Sequence, residues 1–477
     1  MTDSYPTAGT RSRVAMRLLA PEDAERVYAA ALDRLARDGV VPACVEARKA
    51  LLAAGATGAV EGVVRLAADL AEEAAARAPK RVVLGARAAD GDVVVEPGRS
   101  LLVAGGSPAP RVQPLAGGAP RPATLSDLAE ACRLADALPD VAVVAGPPLS
   151  TAAGRDERSS LTEIGCALRG MTKHLLLTGV TSVTTAAAAA DMAGALRDDE
   201  VGLRRRPPLS LLGGAETFEA AVVFARRGLP VGTLVAPLGG AGSRVAPSPA
   251  GLAETLVAFV ADVLATNAAL QARAPGVAYL GPAWPALAGL PASGPDAATF
   301  IVAATQVVAR AGLPGVAGAF GTSAPAPDWE ACTDGSFAAL CSVLAGATLV
   351  SGAGTLHGAG VFSPQQLVAD AEIFSWCASV AAGIEVDDET LAVDAIKQVG
   401  IGGNFLGQGH TRRHMKDVWR PRLLDRTSWD AWVTGGRQSA AEKATALAGE
   451  LLAGHEVEPL DTELTATLER IIATAGL

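Results

Sequence analysis

From residue 141 to residue 354 the chain alternates short, unbroken apolar runs with longer helical patterns. The runs are VAVVAG (141–146), HLLLTGV (174–180), LSLLGG (209–214), GTLVAP (232–237), VAYLG (277–281), GVAGAFG (315–321) and ATLVSGAG (347–354). Continuous apolar runs, as opposed to alternating ones, suit parallel strands buried on both faces. Most end in Gly or Pro, and the helical segments between them set a βαβ rhythm. Seven such strands over this length, with an eighth supplied by NFL (404–406), predict an α/β fold of the (β/α)8 barrel type. The runner-up is a doubly wound open sheet. That fold usually carries a glycine-rich phosphate fingerprint, and neither G-x-G-x-x-G nor G-x-x-x-x-G-K-[ST] occurs.

Before the barrel pattern, residues 1–20 read as a loose tail. Pro21 opens a helix that stops at Gly39, a second helix covers about 45–54, and a third covers about 64–77. RVVLGA, DVVVEPG and SLLVAGG then read as strands, the first two joined by the turn ADGD. The expected organisation is a tail (1–20), a helical and β-meander region (21–120), the barrel (121–410) and a helical C-terminal extension (411–477). Thr124 or Ser126 caps the helix that follows residue 120. Ser363-Pro364-Gln365-Gln366 reads as a capping box. In VDDETLAVDAIKQVG, Asp387, Asp388 and Glu389 read as an acidic helix start, with Gly400 as the stop.

Composition narrows the function classes. Half the residues are apolar, 19% are charged, and the formal net charge is −10. An acidic chain repels phosphate backbones, so nucleic acid is excluded as a partner. The segment from Gly335 to Ala369 has no Asp, Glu, Lys or Arg, yet polar residues interrupt it throughout. It reads as a buried helix and strand, not a membrane span. The six cysteines form no C-x-x-C pair and no signal-type apolar run precedes Pro21, which points to reduced thiols in the cytoplasm.

Active sites of (β/α)8 barrels lie at the C-terminal ends of the strands, and the opposite face serves stability. By this rule His174, which starts its strand, is structural, whereas His357 in SGAGTLHGAG follows a strand end and is a candidate site residue. APAPDWEACTDG places Asp328, Trp329, Glu330 and Asp334 just beyond another strand end, where carboxylates and an indole face can hold a cation. Trp284, in GPAW, belongs to the same rim. His410 and His414 would share a helix face. Since no third ligand is evident for them, no metal is expected. In GGNFLGQGHTRRH (402–414), the glycines allow a tight path as the chain returns past the barrel mouth. Thr411 then caps a helix, His410 lies nearer the site, and His414 is a packing residue.

GIEVDDETLAVDAI, VGIGGNFLGQGHTRRH and WRPRLLDR resemble the C-terminal part of the trimethylamine methyltransferase superfamily, which includes glycine betaine:corrinoid methyltransferases. RPATLSDLAEACRLADALPDV, TKHLLL and SPQQLVADAEI carry the likeness further. The resemblance implies a (β/α)8 barrel with helical additions and a homo-oligomer. It also implies methyl transfer to cob(I)alamin held on a separate corrinoid protein, with no metal bound directly. Pyrrolysine-containing members place that residue in the loop that here reads SAPAPDWEACTDG, and Glu330 falls near the corresponding place. Without pyrrolysine, the expected substrate is a quaternary amine such as glycine betaine, with His357 and Glu330 as catalytic residues. Trp284, Asp328, Trp329 and His410 are expected to bind it. The loop departs from the family's SK-x-PD-x-Q-A pattern, with Ala324 in place of the lysine, and PLGGAGSRVAPSPAG is lengthened. A barrel that keeps the fold as a sensor or scaffold for a small cation is the alternative.

Overall fold

The computed structural model describes residues 9–42, 44–58, 62–88, 90–151, 156–180, 182–196, 206–214, 217–234, 251–283 and 293–475. Eight parallel strands close into a barrel: β1 (Arg99–Ala104), β2 (Val141–Gly146), β3 (His174–Thr178), β4 (Leu209–Gly214), β5 (Val231–Leu234), β6 (Tyr279–Ala283), β7 (Gly315–Ala317) and β8 (Leu349–Ala353). Each pairs with its successor, and β8 pairs back onto β1 through Leu349↔Leu101 and Val350↔Leu102.

The closing strand corrects the expectation for NFL. Asn404–Leu406 lies in an exposed turn, and the eighth strand comes from SLLVAGG, upstream of the seven runs. The run itself was visible in the sequence. Its membership in the barrel was not, because a strand pattern does not name its partners.

The continuous apolar character of the strands follows from the closed geometry. Leu101, Val103, Val143, Ala145, Leu176, Leu212, Leu280, Val316 and Leu349 share one interior cluster. Their strand neighbours Leu102, Ala104, Val144, Leu175, Leu177, Leu211, Val350 and Ala353 belong to the outer core against the helices. Successive side chains point to opposite faces of a strand, and here both faces are dry. The hairpin Val82–Leu84/Val93–Val95 forms as the sequence suggests, and its four buried residues join the interior cluster. It stoppers the barrel at the N-terminal ends of the strands.

The helices Pro21–Arg37, Val45–Ala53 and Ala68–Arg77 pack on the long helix Leu252–Arg273. The third begins later than the sequence suggests, because Val64–Arg65 pairs as a strand with Thr57–Gly58. Among the described residues, Leu252–Arg273 is the one helix long and apolar enough to cross a membrane. With 72% of its apolar window buried, it is a core helix here. Of the two candidate caps, Thr124 is the one used, and it forms a capping box with Asp127. Ser363 caps Pro364–Ala382 through the Gln366 amide, but the Gln366 side chain turns to Asp370 and so leaves the box incomplete.

Pro364–Ala382 follows β8 and therefore runs from the mouth back to the opposite face. At its end the Ala381 carbonyl accepts the Arg13 amide, beside Thr10–Arg11, which pairs with Ser100 and Arg99 at the start of β1. A C-terminal arm leaves from there. It rejoins the body where Trp419 Nε1 donates to Ser375 Oγ and Arg422 bridges Glu372 and Asp140. Both ends of the arm are thus rooted in the half of the body away from the mouth. This corrects the expected path of GGNFLGQGHTRRH past the mouth. Of the last helices, Ala440–Gly454 packs on Pro364–Ala382 and Leu125–Ala137, and Thr462–Thr474 packs on Glu157–Gly170 and Val183–Ala195.

Candidate functional site at the barrel mouth

The mouth is built by the loops that leave the strand ends. Trp284 and residues 237–250 of the lengthened stretch, on the loops after β6 and β5, lie outside the described residues. The described part is organised around β7, β8 and β1. Gly105 donates to the Ala353 carbonyl and Gly352 donates back to Gly105, which locks β1 to β8. Gly352 has φ +103°, and a Cβ there would stand 2.7 Å from the Gly321 amide nitrogen, so only glycine lets β7 and β8 approach this closely.

Beyond β8 the chain makes a hairpin, Thr355–Leu356 with Val361–Phe362, and the second strand pairs with Arg111–Val112 from the loop after β1. His357 sits at the hairpin's turn, exposed, with φ +52°. That conformation is uncommon for a non-glycine residue. It is held by two main-chain bonds to the loop after β7: His357 N–H to the Ala324 carbonyl at 2.9 Å, and Gly358 N–H to the Thr322 carbonyl at 2.8 Å. Leu356 and Val361 pack with Ala324 and Ala331 in a small core of their own. The two loops therefore form one unit, and it brings His357 together with the start of the helix Trp329–Ala345.

The acidic loop divides its labour. Asp328 caps the helix by accepting the Glu330 amide at 2.9 Å, and Asp334 accepts from Thr322 Oγ1 at 2.7 Å. Glu330 is exposed, and its carboxylate has no hydrogen-bond or ionic partner among the described residues. Trp329 is 80% exposed. Among the described residues of this rim, Glu330 and the Trp329 indole are therefore a free charge and a free ring face, and Asp328 adds negative charge nearby.

Asp370, which lies in SPQQLVADAEI but is not among the candidate site residues of the sequence, is fully buried beneath these loops. Its Oδ2 accepts the Gly354 amide and its Oδ1 accepts Gln366 Nε2, both at 2.8 Å. Burial pushes its carboxyl up to about 8, against the pull of those two donors. It pins the first residue beyond β8. The available signal was an Asp four residues after a Gln in a helix without Lys or Arg. Burial, with a smaller contribution from Asp370, pushes the neighbouring Cys332 thiol up to about 11, so it stays protonated.

His174 behaves as its place at a strand start requires. Its ring bridges the Gly85 carbonyl and Ser210 Oγ, both at 2.7 Å, and burial lowers its pKa to about 4. His410 is not brought to the mouth unit. It lies on the arm, in the helix Gly409–His414, whose cap is Gln408 and not Thr411. Its Nε2 meets the Glu389 carbonyl at 2.8 Å, and its ring lies 4.3 Å from that of His414. Gly402, at φ +76°, and Gly403, whose Cβ would collide with the Val399 carbonyl oxygen, do make the tight path expected of them.

A cavity of about 560 Å³ opens instead at the stoppered face, between Arg81, Arg206, Arg227 and Val277. Its arginines are already paired with Glu96, Asp92 and Asp191. It also lies at the barrel end reserved for stability, so the mouth remains the candidate site.

Comparison with known proteins agrees with this architecture. The family model of trimethylamine methyltransferase (MTTB) matches residues 3–475. A trimethylamine methyltransferase from Desulfitobacterium hafniense strain DCB-2 is 28% identical over 428 residues, which is 86% of this chain and 84% of that protein. One from Methanosarcina barkeri is 31% identical over 290 residues, 58% of each chain. A glycine betaine methyltransferase from Desulfitobacterium hafniense strain Y51 is 30% identical over 269 residues, 54% of each. With that match spanning tail, barrel and C-terminal helices alike, the chain belongs to the trimethylamine methyltransferase family.

Proposed function

We propose that the protein moves a methyl group from a quaternary amine of the glycine betaine type to the cob(I)alamin of a separate corrinoid protein. The observation that carries this reading is the family match over residues 3–475. It is supported by the exposure of His357, Trp329 and Glu330 on the loops beyond β7 and β8, which the Ala324 and Thr322 carbonyls tie together. A quaternary ammonium leaves as a neutral tertiary amine once its methyl is taken, so no side chain has to supply a proton. The corrinoid supplies the nucleophile. The chain's own residues then have to hold a cation, orient one methyl group outward and keep water away.

Glu330 provides the opposing charge, reinforced by Asp328, and the Trp329 ring face contributes about 0.5–2 kcal/mol of cation attraction. Trp284 takes the same role from the loop after β6, and His357 closes the other side of the substrate. His410 is left out of this set, since its partners are on the arm. The sequence contains no pyrrolysine, which favours a quaternary substrate over trimethylamine. The family's homo-oligomeric state has support in the arm, where Ile384, Val386, Ile401 and Leu406 are exposed and no residue between 382 and 422 is buried. A second copy covering the arm would remove that surface from water.

The test is methyl transfer from a panel of quaternary amines, with trimethylamine alongside, to free cob(I)alamin, followed by absorbance. Turnover with a quaternary amine and none with trimethylamine is expected. Absence of both turnover and thermal stabilisation with every quaternary amine would overturn the proposal. Stabilisation without turnover would favour the sensor or scaffold alternative.

A further inference from the structure

The arm brings together three side chains that the sequence keeps apart. Glu389 starts one short helix, while His410 and His414 lie one turn apart on another, 21 residues on. Each offers a ligand atom within 4.8 Å of the other two. The sequence alone showed only the two histidines. The fold supplies the carboxylate.

His414 is the most telling member. Its Nδ1 meets Asp417 Oδ2 at 2.7 Å, which fixes the tautomer with its proton on that nitrogen. Its Nε2 is shielded from solvent and makes no hydrogen bond, yet it faces Glu389 Oε1 at 3.6 Å. Two ligand atoms each about 2.0–2.1 Å from a tetrahedral zinc ion stand roughly 3.3 Å apart. The observed pair needs to close by only a few tenths of an ångström. His410 is oriented by its contact with the Glu389 carbonyl. Arg413 Nη2 lies 2.6 Å from the same Glu389 oxygen and therefore competes with a cation for it.

We propose that Glu389, His410 and His414 form a divalent transition-metal site of the zinc class, with Asp417 orienting His414. The metal staples the helix Asp388–Leu391 to the helix Gly409–His414, across a segment that contains a third short helix, Val393–Val399. The need for a staple is physical. No residue from 383 to 422 is buried, so the arm has no core of its own to offset the entropy of ordering its backbone. Small units without a core commonly rely on a metal or a disulfide. The site is separate from the mouth, and the proposal does not rest on the methyl-transfer reading.

The experiment uses the full-length, tag-free protein, stripped with chelator and titrated with Co²⁺ and then Zn²⁺. The expected result is one Co²⁺ per chain with visible d–d absorbance, displaced by Zn²⁺, and slower proteolysis between residues 390 and 408. His410→Ala and His414→Ala should abolish the absorbance while far-UV circular dichroism is unchanged. Asp417→Asn should weaken binding about tenfold, and Arg413→Ala should tighten it. Binding that is substoichiometric, or equal in the wild type and the His410→Ala/His414→Ala double variant, would overturn the proposal. So would tight binding that Glu389→Gln leaves unchanged.

Discussion

The main-chain amide of His357 donates to the carbonyl of Ala324 at 2.9 Å, and through this bond the loop beyond β8 is fixed to the loop beyond β7. The two residues are 33 positions apart, with a helix and two strands between them. Their pairing joins the turn that carries an exposed imidazole to the loop that leads into Trp329 and Glu330.

If that juxtaposition forms the substrate site, His357→Ala and Glu330→Gln each lower kcat/KM for the quaternary amine by about 10²-fold. Both side chains are exposed, so unfolding free energies should stay within about 0.5 kcal/mol of wild type. Steady-state kinetics beside urea melts checks this. Activity that merely follows the melting temperature would refute the assignment.

His174 gives the opposite signature. Loss of its two hydrogen bonds and its buried volume in His174→Ala should cost about 3 kcal/mol, with kcat changed little at temperatures where the variant is folded. Its folded pKa of about 4 lies below the ordinary value of 6.5. The unfolded chain therefore binds the proton more readily, and stability falls as pH drops from about 6.5 through about 4. His174→Gln removes this contribution, so its stability should depend less steeply on pH over that window than wild type does.

Asp370 works in the reverse sense. Its folded pKa is raised from 3.8 to about 8. The folded state holds the proton more tightly, so the contribution is full below about 3.8 and is lost as pH rises through about 8. Asp370→Asn keeps an acceptor for the Gly354 amide and cannot ionise. It should gain stability relative to wild type between pH 5 and pH 9. Denaturant titrations at the two pH values decide the point, and a variant without that gain would show that the ionised carboxylate is what the loop requires.

Arg422 anchors the returning arm with contacts of 2.6 Å to Asp140 and 3.2 Å to Glu372. Arg422→Met leaves two largely buried carboxylates without their cation, at a cost of about 3–5 kcal/mol. Hydrogen exchange should rise first between residues 383 and 424. Uniform loss of protection over the barrel would mean that the arm and body unfold together.

Much was legible in the sequence. Seven of the eight barrel strands, the Thr124 and Ser363 caps and the acidic start at Asp387 follow from local rules, because apolar continuity, capping chemistry and glycine stops act over a few residues. The strand-end rule also sorted His174 from His357, since position along a strand decides which face of a barrel a residue meets. What depended on distant pairing was not legible. SLLVAGG became β1 only because β8 and β2 accept it on either side. Asp370 gained its place only once Gly354 lay above it. Glu389 reached His414 only after the arm folded back on itself. Local patterns determine which elements form. The closure of the barrel, where burial and hydrogen bonding are satisfied between residues far apart in the chain, decides which side chains meet.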